Sequence, residues 1–218
     1  FIMHNTVKNL IYIEELVKSK VNHDKLPTII AVSKTFPIEN VLPLIEHGHL
    51  NYGENKVQEA IDKWSDIKPK YNQLKLHLIG RLQTNKVKFA LKIFDYIHSL
   101  DSEKLATKIS LEQKKYEKKP KLFIQVNIGN EVQKSGINKG QLIDFYHFCK
   151  KLDLDIIGTM CIPPNDDSVE EYFSEMNKIN KELNFKELSM GMSGDYLSAI
   201  KYNATFIRVG SKIFGSRT

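Results

Sequence analysis

The sequence predicts an α/β protein, a single (β/α)8 TIM barrel of parallel strands with one extra helix at its N-terminal end. Short apolar runs alternate with amphipathic segments along the whole chain, and no long linker interrupts them. Eight strand-like runs occur, each followed by a helix or a turn. Such repeated units require parallel strands, because every helix crosses back over the sheet. A length of 218 residues suits one domain over residues 1–218, at the small end of the range for this barrel.

The extra helix and the first strand open the series. A helix is predicted over residues 6–20, with an apolar face formed at helical spacing by Leu10, Ile13, Leu16 and Val17. A strand is predicted over residues 28–33, where consecutive apolar and β-branched residues indicate burial on both faces. Pro37 prevents that strand from continuing, because proline cannot donate a hydrogen bond within a central ladder.

The remaining elements continue the alternation. Further helices are predicted over residues 38–47, 56–67, 86–94, 102–116, 139–150, 168–183 and 196–202. Further strands are predicted over residues 49–53, 75–79, 96–100, 121–126, 155–160, 187–189 and 205–209. An open doubly wound sheet is the alternative fold, but it requires a glycine-rich turn after the first strand, where this chain has Lys34 and no glycine.

Composition argues against several classes of function. Only 3 of the 32 basic residues are arginine, the residue that nucleic-acid readers favour, so we expect no nucleic-acid binding despite a net charge of +6. Cys149 and Cys161 lack C-x-x-C spacing, which argues against a disulfide framework or a zinc cluster and indicates a reducing compartment. No apolar stretch approaches the roughly 20 residues of a membrane span, and residues 1–4 lack the features of a secretory signal. We therefore expect a cytoplasmic protein with no metal and no membrane partner.

Lys34 is the first candidate functional residue. It follows the first predicted strand directly, so its amine lies at the carboxyl end of a core strand, where barrel enzymes place their functional side chains. Partial desolvation there favours a neutral amine that can attack a carbonyl and form a Schiff base. The alternative is a lysine whose amine simply extends from the strand end into water, which is the commoner fate of lysine.

The loops after the seventh and eighth strands predict an anion site. Ser193 and Gly194 precede one helix, and Gly210 and Ser211 precede the closing turn. Glycine lets the backbone approach a ligand closely, and hydroxyl and backbone N–H groups can donate to an anion. In barrels these two loops are the habitual phosphate site. The alternative is that each loop is only a turn with a helix cap.

A strand-end lysine facing a phosphate cradle predicts pyridoxal 5′-phosphate, whose aldehyde condenses with lysine while its phosphate is anchored opposite. Arg208, at the end of the eighth strand, is the candidate partner of the pyridine nitrogen. A permanent cation there would keep this nitrogen unprotonated and weaken the ring as an electron sink. Asn55 could contact the ring or its phenolic oxygen, and it could equally serve as the N-cap of the following helix.

Seven segments together resemble the YggS/PROSC family of pyridoxal phosphate homeostasis proteins, relatives of the barrel domain of alanine racemase. The segments are AVSKT (31–35), GENKVQE (53–59), HLIGRLQTNK (77–86), IHSLD (97–101), KSG (134–136), LSMGMS (188–193) and RVGSKIFGSR (208–217). They run through nearly the whole chain in order, and a set of this size is specific where one motif would be weak. Departures are Lys56, Arg81 and Thr159, where the family usually has other residues.

The resemblance implies a monomeric barrel that carries pyridoxal phosphate on Lys34, with phosphate contacts from Ser193, Gly210 and Ser211. It also implies that Arg208 and Asn55 line the site. Family members bind the cofactor and influence vitamin B6 balance, so cofactor-dependent apo-enzymes are the expected partners, and no catalytic residue is assigned.

A weak amino-acid racemase is the alternative function. A two-base racemase needs a second proton donor on the opposite ring face, which alanine racemase takes from an additional domain of a partner subunit. The chain ends soon after the eighth strand, which leaves no room for that domain, and Tyr52 is the one tyrosine near a strand end. We therefore expect cofactor binding without strong turnover.

Overall fold

The computed structural model describes residues 3–21 and 25–216. Within them the eight strands form one closed barrel in which each strand pairs in parallel with the next and β8 pairs with β1. The predicted fold class is confirmed. Arg217, in the last family-like segment, lies outside the described residues, as do residues 1 and 2, on which part of the argument against a secretory signal depends.

The strands are short and regularly spaced. They are β1 Thr28–Val32, β2 Asn51–Glu54, β3 Lys75–Leu78, β4 Tyr96–Leu100, β5 Lys121–Gln125, β6 Asp155–Met160, β7 Glu187–Ser189 and β8 Phe206–Val209. The α-helices of the described residues are α1 Asn5–Lys20, α2 Ile38–His47, α3 Val57–Trp64, α4 Val87–Ile93, α5 Glu103–Tyr116, α6 Leu142–Lys151, α7 Val169–Glu182, α8 Tyr196–Lys201 and α9 Ser211–Phe214. Single 3-10 turns occur at Lys68–Lys70, Thr84–Lys86 and Lys139–Gln141.

The extra helix α1 completes the outer ring of helices. The helix after β8 is only the four-residue α9, too short to cover the barrel wall beside it. Helix α1 packs against α8, α9 and α2, which is where a full eighth helix would lie. Its buried face includes Leu10 and Ile13, and the Asn9 amide donates to the Ile213 carbonyl at 2.9 Å.

Two apolar layers hold the barrel. The larger one lies between the strands and the helices, because alternate strand residues point outward and meet the apolar helix faces. The smaller one fills the barrel interior, with buried Ile30, Val32, Phe123, Met160 and Phe206 closed off by Ile79, Tyr96 and Ile157. None of the helices in the described ranges has the length and apolar character needed to cross a bilayer.

Candidate functional site

A cavity of about 240 Å³ opens at the carboxyl ends of β1, β7 and β8. Its lining residues are Val32, Lys34, Phe36, Ile79, Met192, Ser193, Gly194, Arg208, Gly210, Ser211 and Gly215. Five of the six predicted site residues are therefore together, because the closed parallel barrel brings these strand ends to one rim.

The lysine turn forms one wall of the cavity. Ser33 is buried, Lys34 is half-buried, and Thr35 is exposed with a φ of 67°. A positive φ is unusual for a β-branched residue and strains the backbone. Phe36 then stacks on Phe214 with ring centroids 5.1 Å apart, which fastens this wall to the last helix.

The adjoining wall is made by the loops after β7 and β8. The Ser193 hydroxyl accepts from the backbone N–H groups of Gly210 at 3.2 Å and Lys212 at 3.5 Å, so it ties one loop to the other. A Cβ atom built onto Gly194 would meet nothing within 4 Å, so its backbone stays open to a ligand. The wall therefore offers hydroxyls and accessible backbone, and its binding of an anion stays a prediction.

Arg208 forms the buried floor of the cavity. It is 3 % exposed, and burial lowers the pKa of its guanidinium, which still stays charged near neutral pH. Its Nη1 donates to Ser189 Oγ at 2.7 Å and its Nη2 donates to the Cys161 carbonyl at 2.9 Å. The Cys161 thiol is neutral, because burial raises its pKa to about 12.

A line of buried hydrogen bonds, which we call the interior chain, runs from Arg208 through the barrel. Ser189 Oγ lies 2.8 Å from His98 Nδ1, His98 Nε2 lies 2.9 Å from His77 Nδ1, and His77 Nε2 lies 2.9 Å from Asn51 Oδ1. Arginine can only donate, so we assign the Ser189 hydroxyl hydrogen to His98 and place each ring hydrogen on Nε2.

Both histidines of the interior chain are neutral. Burial is the main cause that lowers the pKa of His77 to about 3 and the pKa of His98 well below its usual value. His77 stacks on Tyr96 and His98 stacks on Phe123, each with ring centroids 4.3 Å apart. The hydrogen bonds that start at Arg208 therefore lead through Ser189 to two neutral histidines, and each histidine is stacked on an aromatic ring.

A second network, which we call the Glu54 cluster, lies behind the lysine turn and comprises Ser33, Glu54, Glu59, Lys63 and Trp64. Glu54 Oε1 accepts from Ser33 Oγ at 2.7 Å, Lys63 Nζ at 2.8 Å and Trp64 Nε1 at 3.0 Å. Lys63 Nζ also donates to the Ser33 carbonyl at 2.7 Å and to Glu59 Oε1 at 3.3 Å. Sequence reasoning missed this cluster, although the spacing of Glu59 and Lys63 is that of a helical ion pair.

Asn55, the sixth predicted site residue, follows β2 and is not among the lining residues in the described chain. A Cβ atom added to Gly80 would lie 2.3 Å from the Asn55 carbonyl oxygen, so the Asn55 backbone packs against the turn after β3. The cap position of α3 is Lys56, without a side-chain hydrogen bond, so the interpretation of Asn55 as a helix cap is wrong. Its contact with a ligand stays a prediction.

Tyr52 and the nearby His49 have structural partners. Tyr52 is fully buried, and its hydroxyl donates to the His49 carbonyl at 2.9 Å, so it packs inside the protein rather than facing the cavity. His49 Nε2 lies 2.8 Å from the Asn51 carbonyl, and burial lowers the pKa of His49 to about 4. Within residues 3–21 and 25–216 no group of three or more His, Cys, Asp or Glu side chains is placed to hold a metal ion.

The chain is similar to a known protein family, to named relatives and to solved structures. A family model described as alanine racemase, N-terminal domain, matches residues 14–218. The pyridoxal phosphate homeostasis protein of Pasteurella multocida is 35% identical over 225 residues, covering 96% of this chain and 97% of the relative. The protein of the same name from Vibrio cholerae is 38% identical over 204 residues, covering 87% and 85%. PipY of Synechococcus elongatus, solved with pyridoxal phosphate bound, superposes with a TM-score of 0.86 at 31% identity, covering 96% of this chain and 100% of that one.

Proposed function

The chain belongs to the alanine racemase N-terminal domain family, which includes the pyridoxal phosphate homeostasis proteins, and on that premise we propose that it binds pyridoxal 5′-phosphate as a Schiff base on Lys34. We further propose that it takes part in intracellular vitamin B6 homeostasis without strong catalytic turnover. The observation that carries the proposal is the cavity that brings Lys34 together with Ser193, Gly210, Ser211 and Arg208 in one lining.

The residues present fit this cofactor. When bound, pyridoxal phosphate supplies an aldehyde that condenses with an amine, a pyridine ring and an anionic phosphate. Lys34 provides the amine, and the side chains of Val32, Ile79 and Met192 provide apolar walls for a ring. The donor-rich loops after β7 and β8 suit the phosphate, and the cavity volume of about 240 Å³ suits a small single-ring ligand rather than a dinucleotide.

Arg208 supports binding without strong turnover. Its two inward donors hold the guanidinium against Ser189 and Cys161, so its position is fixed before a ligand arrives. A fixed cation at the floor would donate to the pyridine nitrogen and keep it unprotonated. This weakens the electron-withdrawing power of the ring, on which transformation of amino acids depends.

The weak racemase remains the alternative, and no observation favours it. A second base would have to face the ring from the side opposite Lys34, and among the described lining residues there is no tyrosine, histidine or carboxylate. The family resemblance further supports one domain over residues 1–218 that acts as a monomer in the cytoplasm and supplies apo-enzymes.

The test is to identify the lysine that carries the cofactor. Apo protein is mixed with pyridoxal phosphate, reduced with borohydride and digested, and the modified lysine is located by mass spectrometry. We expect one label on Lys34, lost in Lys34→Ala and retained in Lys108→Ala, a control on the distant helix α5. A colourless protein without label at Lys34 contradicts the proposal, and steady exchange of an amino-acid α-proton would favour the racemase.

A further inference from the structure

The two residues that flank Lys34 are both held by the Glu54 cluster. On one side, the Ser33 carbonyl accepts from Lys63 at 2.7 Å and the Ser33 hydroxyl donates to Glu54 at 2.7 Å. On the other side, the Thr35 backbone N–H donates to Glu59 Oε1. The cluster therefore holds the backbone by hydrogen bonds at the residue before the lysine and at the residue after it.

The hydrogen bond to the Thr35 N–H matters because the Thr35 backbone has an unfavourable conformation. Its φ of 67° lies in the left-handed region, where a β-branched residue is strained. Strain of this kind persists only when surrounding contacts over-determine the conformation. The hydrogen bond to Glu59 is such a contact, and it joins the turn to helix α3.

The charged groups of Glu54 and Lys63 are buried against the turn around Lys34 and do not face water along the helix. The Lys63 side chain is 7 % exposed, and its ammonium uses its three hydrogens on Ser33, Glu54 and Glu59. Glu54 is fully buried, and a buried carboxylate is stabilised only by close partners. Its Oε1 accepts from three donors, so the cluster is fixed by contacts on every member.

We infer that Glu54, Glu59 and Lys63 are positioning residues that hold the turn of Ser33 and Thr35 so that the Lys34 amine faces the cavity ready to react. This inference rests on the proposed function, because it gives the cluster a role in loading the cofactor. The step is a condensation in which a C=N bond forms and the aldehyde oxygen leaves as water with both amine hydrogens. Its rate depends on the approach of the amine nitrogen, and small misplacements of a reacting group slow such steps strongly.

Glu59 offers a matched pair of variants. Glu59→Gln keeps an acceptor for the Thr35 N–H, whereas Glu59→Leu removes it at similar size. Glu59 is 27 % exposed, so both variants are expected to fold. We expect Glu59→Leu to load Lys34 roughly ten- to a hundredfold more slowly than the wild type, and Glu59→Gln to stay within about threefold.

Thr35→Gly tests the strain itself. Glycine adopts a positive φ without steric cost, so the turn no longer depends on the Glu59 contact. We expect the loading defect of Glu59→Leu to shrink to roughly a third or less when Thr35→Gly is also present, a non-additivity that marks direct coupling. Thr35 is exposed, so this substitution leaves the core untouched.

Loading is measured by mixing apo protein with pyridoxal phosphate, quenching with borohydride at set times and quantifying the label on Lys34 by mass spectrometry. Glu112→Leu is the control, because Glu112 forms the same type of pair with Lys108 on α5. Equal loading rates for wild type, Glu59→Gln and Glu59→Leu overturn the inference and leave the proposed function intact. Equal slowing in Glu59→Gln and Glu59→Leu, or in Glu112→Leu, also overturns it. Absence of label on wild-type Lys34 overturns the proposed function instead.

Discussion

The interior chain and the Glu54 cluster approach the same cavity from two sides, and they solve the burial of polar groups in different ways. Below Arg208, His98 and His77 are uncharged and use both ring nitrogens in hydrogen bonds. Behind Lys34, Glu54 and Lys63 form a buried ion pair at 2.8 Å. One network has uncharged histidines, and the other places one ammonium between two carboxylates.

The difference follows from location. The interior chain lies inside the barrel, where rings and apolar side chains surround it, so an imidazolium would be desolvated without a counter-ion. The Glu54 cluster lies between the barrel wall and α3, close enough to the rim for a long lysine and a half-buried Glu59 to reach in. The buried carboxylate of Glu54 is therefore paired with a lysine that reaches it from the helix layer, whereas the buried imidazoles are kept neutral.

Removing the cation of the Glu54 cluster should have the largest effect on stability. Lys63→Met leaves Glu54 buried without its ionic partner, and we expect the free energy of unfolding to fall by about 3–5 kcal/mol. Urea unfolding followed by circular dichroism measures it. The double variant Lys63→Met with Glu54→Gln should recover part of the loss, because the uncompensated charge is gone. A loss below about 1 kcal/mol in Lys63→Met would mean that the pair is not the buried, charged feature described above.

Acid should destabilise the protein through the interior chain. The folded pKa of His77 is about 3, below the unfolded value of 6.5, so the unfolded state binds more protons between these pH values. Stability is therefore unaffected by this group above about pH 6.5 and falls as the pH drops, by roughly 1 kcal/mol per pH unit for each such histidine.

Unfolding curves between pH 7 and pH 5 test this slope in a range where carboxylates contribute little. His49 and His98 act with the same sign, because burial lowers their pKa as well. His77→Asn should reduce the dependence of the free energy of unfolding on pH by roughly the contribution of one histidine. An unchanged slope in that variant would show that His77 is not held neutral in the folded state.

Ser189→Ala tests the junction between Arg208 and the histidines. The substitution removes the acceptor of Arg208 Nη1 and the donor to His98 Nδ1. We expect a loss of roughly 2 kcal/mol in the free energy of unfolding, because a charged donor is left unpaired in a buried place. Ser189→Thr retains the hydroxyl and should lose less. Equal losses in both variants would point to packing rather than to the hydrogen bond.

A surface pair should show the smallest effect. Lys25 and Glu187 are 3.0 Å apart, but the Lys25 side chain is 69% exposed and the pair is screened by water. Lys25→Ala should change the free energy of unfolding by less than about 1 kcal/mol. A larger loss would remove the expected difference between this exposed ion pair and the buried pair of Glu54 and Lys63.

Most of the fold could be predicted because the sequence carries clear signals for both kinds of element. Apolar residues recur at helical spacing in the helices, and short apolar runs mark the strands. The predicted helix over residues 56–67 shows the limit. Its apolar pattern continues to Ile67, yet α3 ends at Trp64, and Ile67 packs against the core from the turn that follows. The spacing of apolar residues cannot tell whether a residue is buried by a helix or by a turn, because in both cases the sequence shows an apolar residue at the same position.

The candidate site was predictable where topology alone determines it. Parallel strands place their carboxyl ends at one rim, so Lys34, Arg208 and the loop residues had to meet. Lys63 was not predictable in this way, because a lysine on an amphipathic helix ordinarily faces water. Strand alternation could have indicated that His77 and His98 point inward, but their mutual hydrogen bond depends on the stagger of β3 against β4.

The filled barrel interior determines how anything reaches the cavity. Phe123 and Phe206 pack with the two stacked histidines and Tyr96 beneath Arg208, so the described structure has no passage to the far end of the barrel. Arrival and departure of a ligand must share the opening at the rim. A recipient protein that docked there would block reloading while it took the ligand, so each delivery would have to finish before the next molecule could enter.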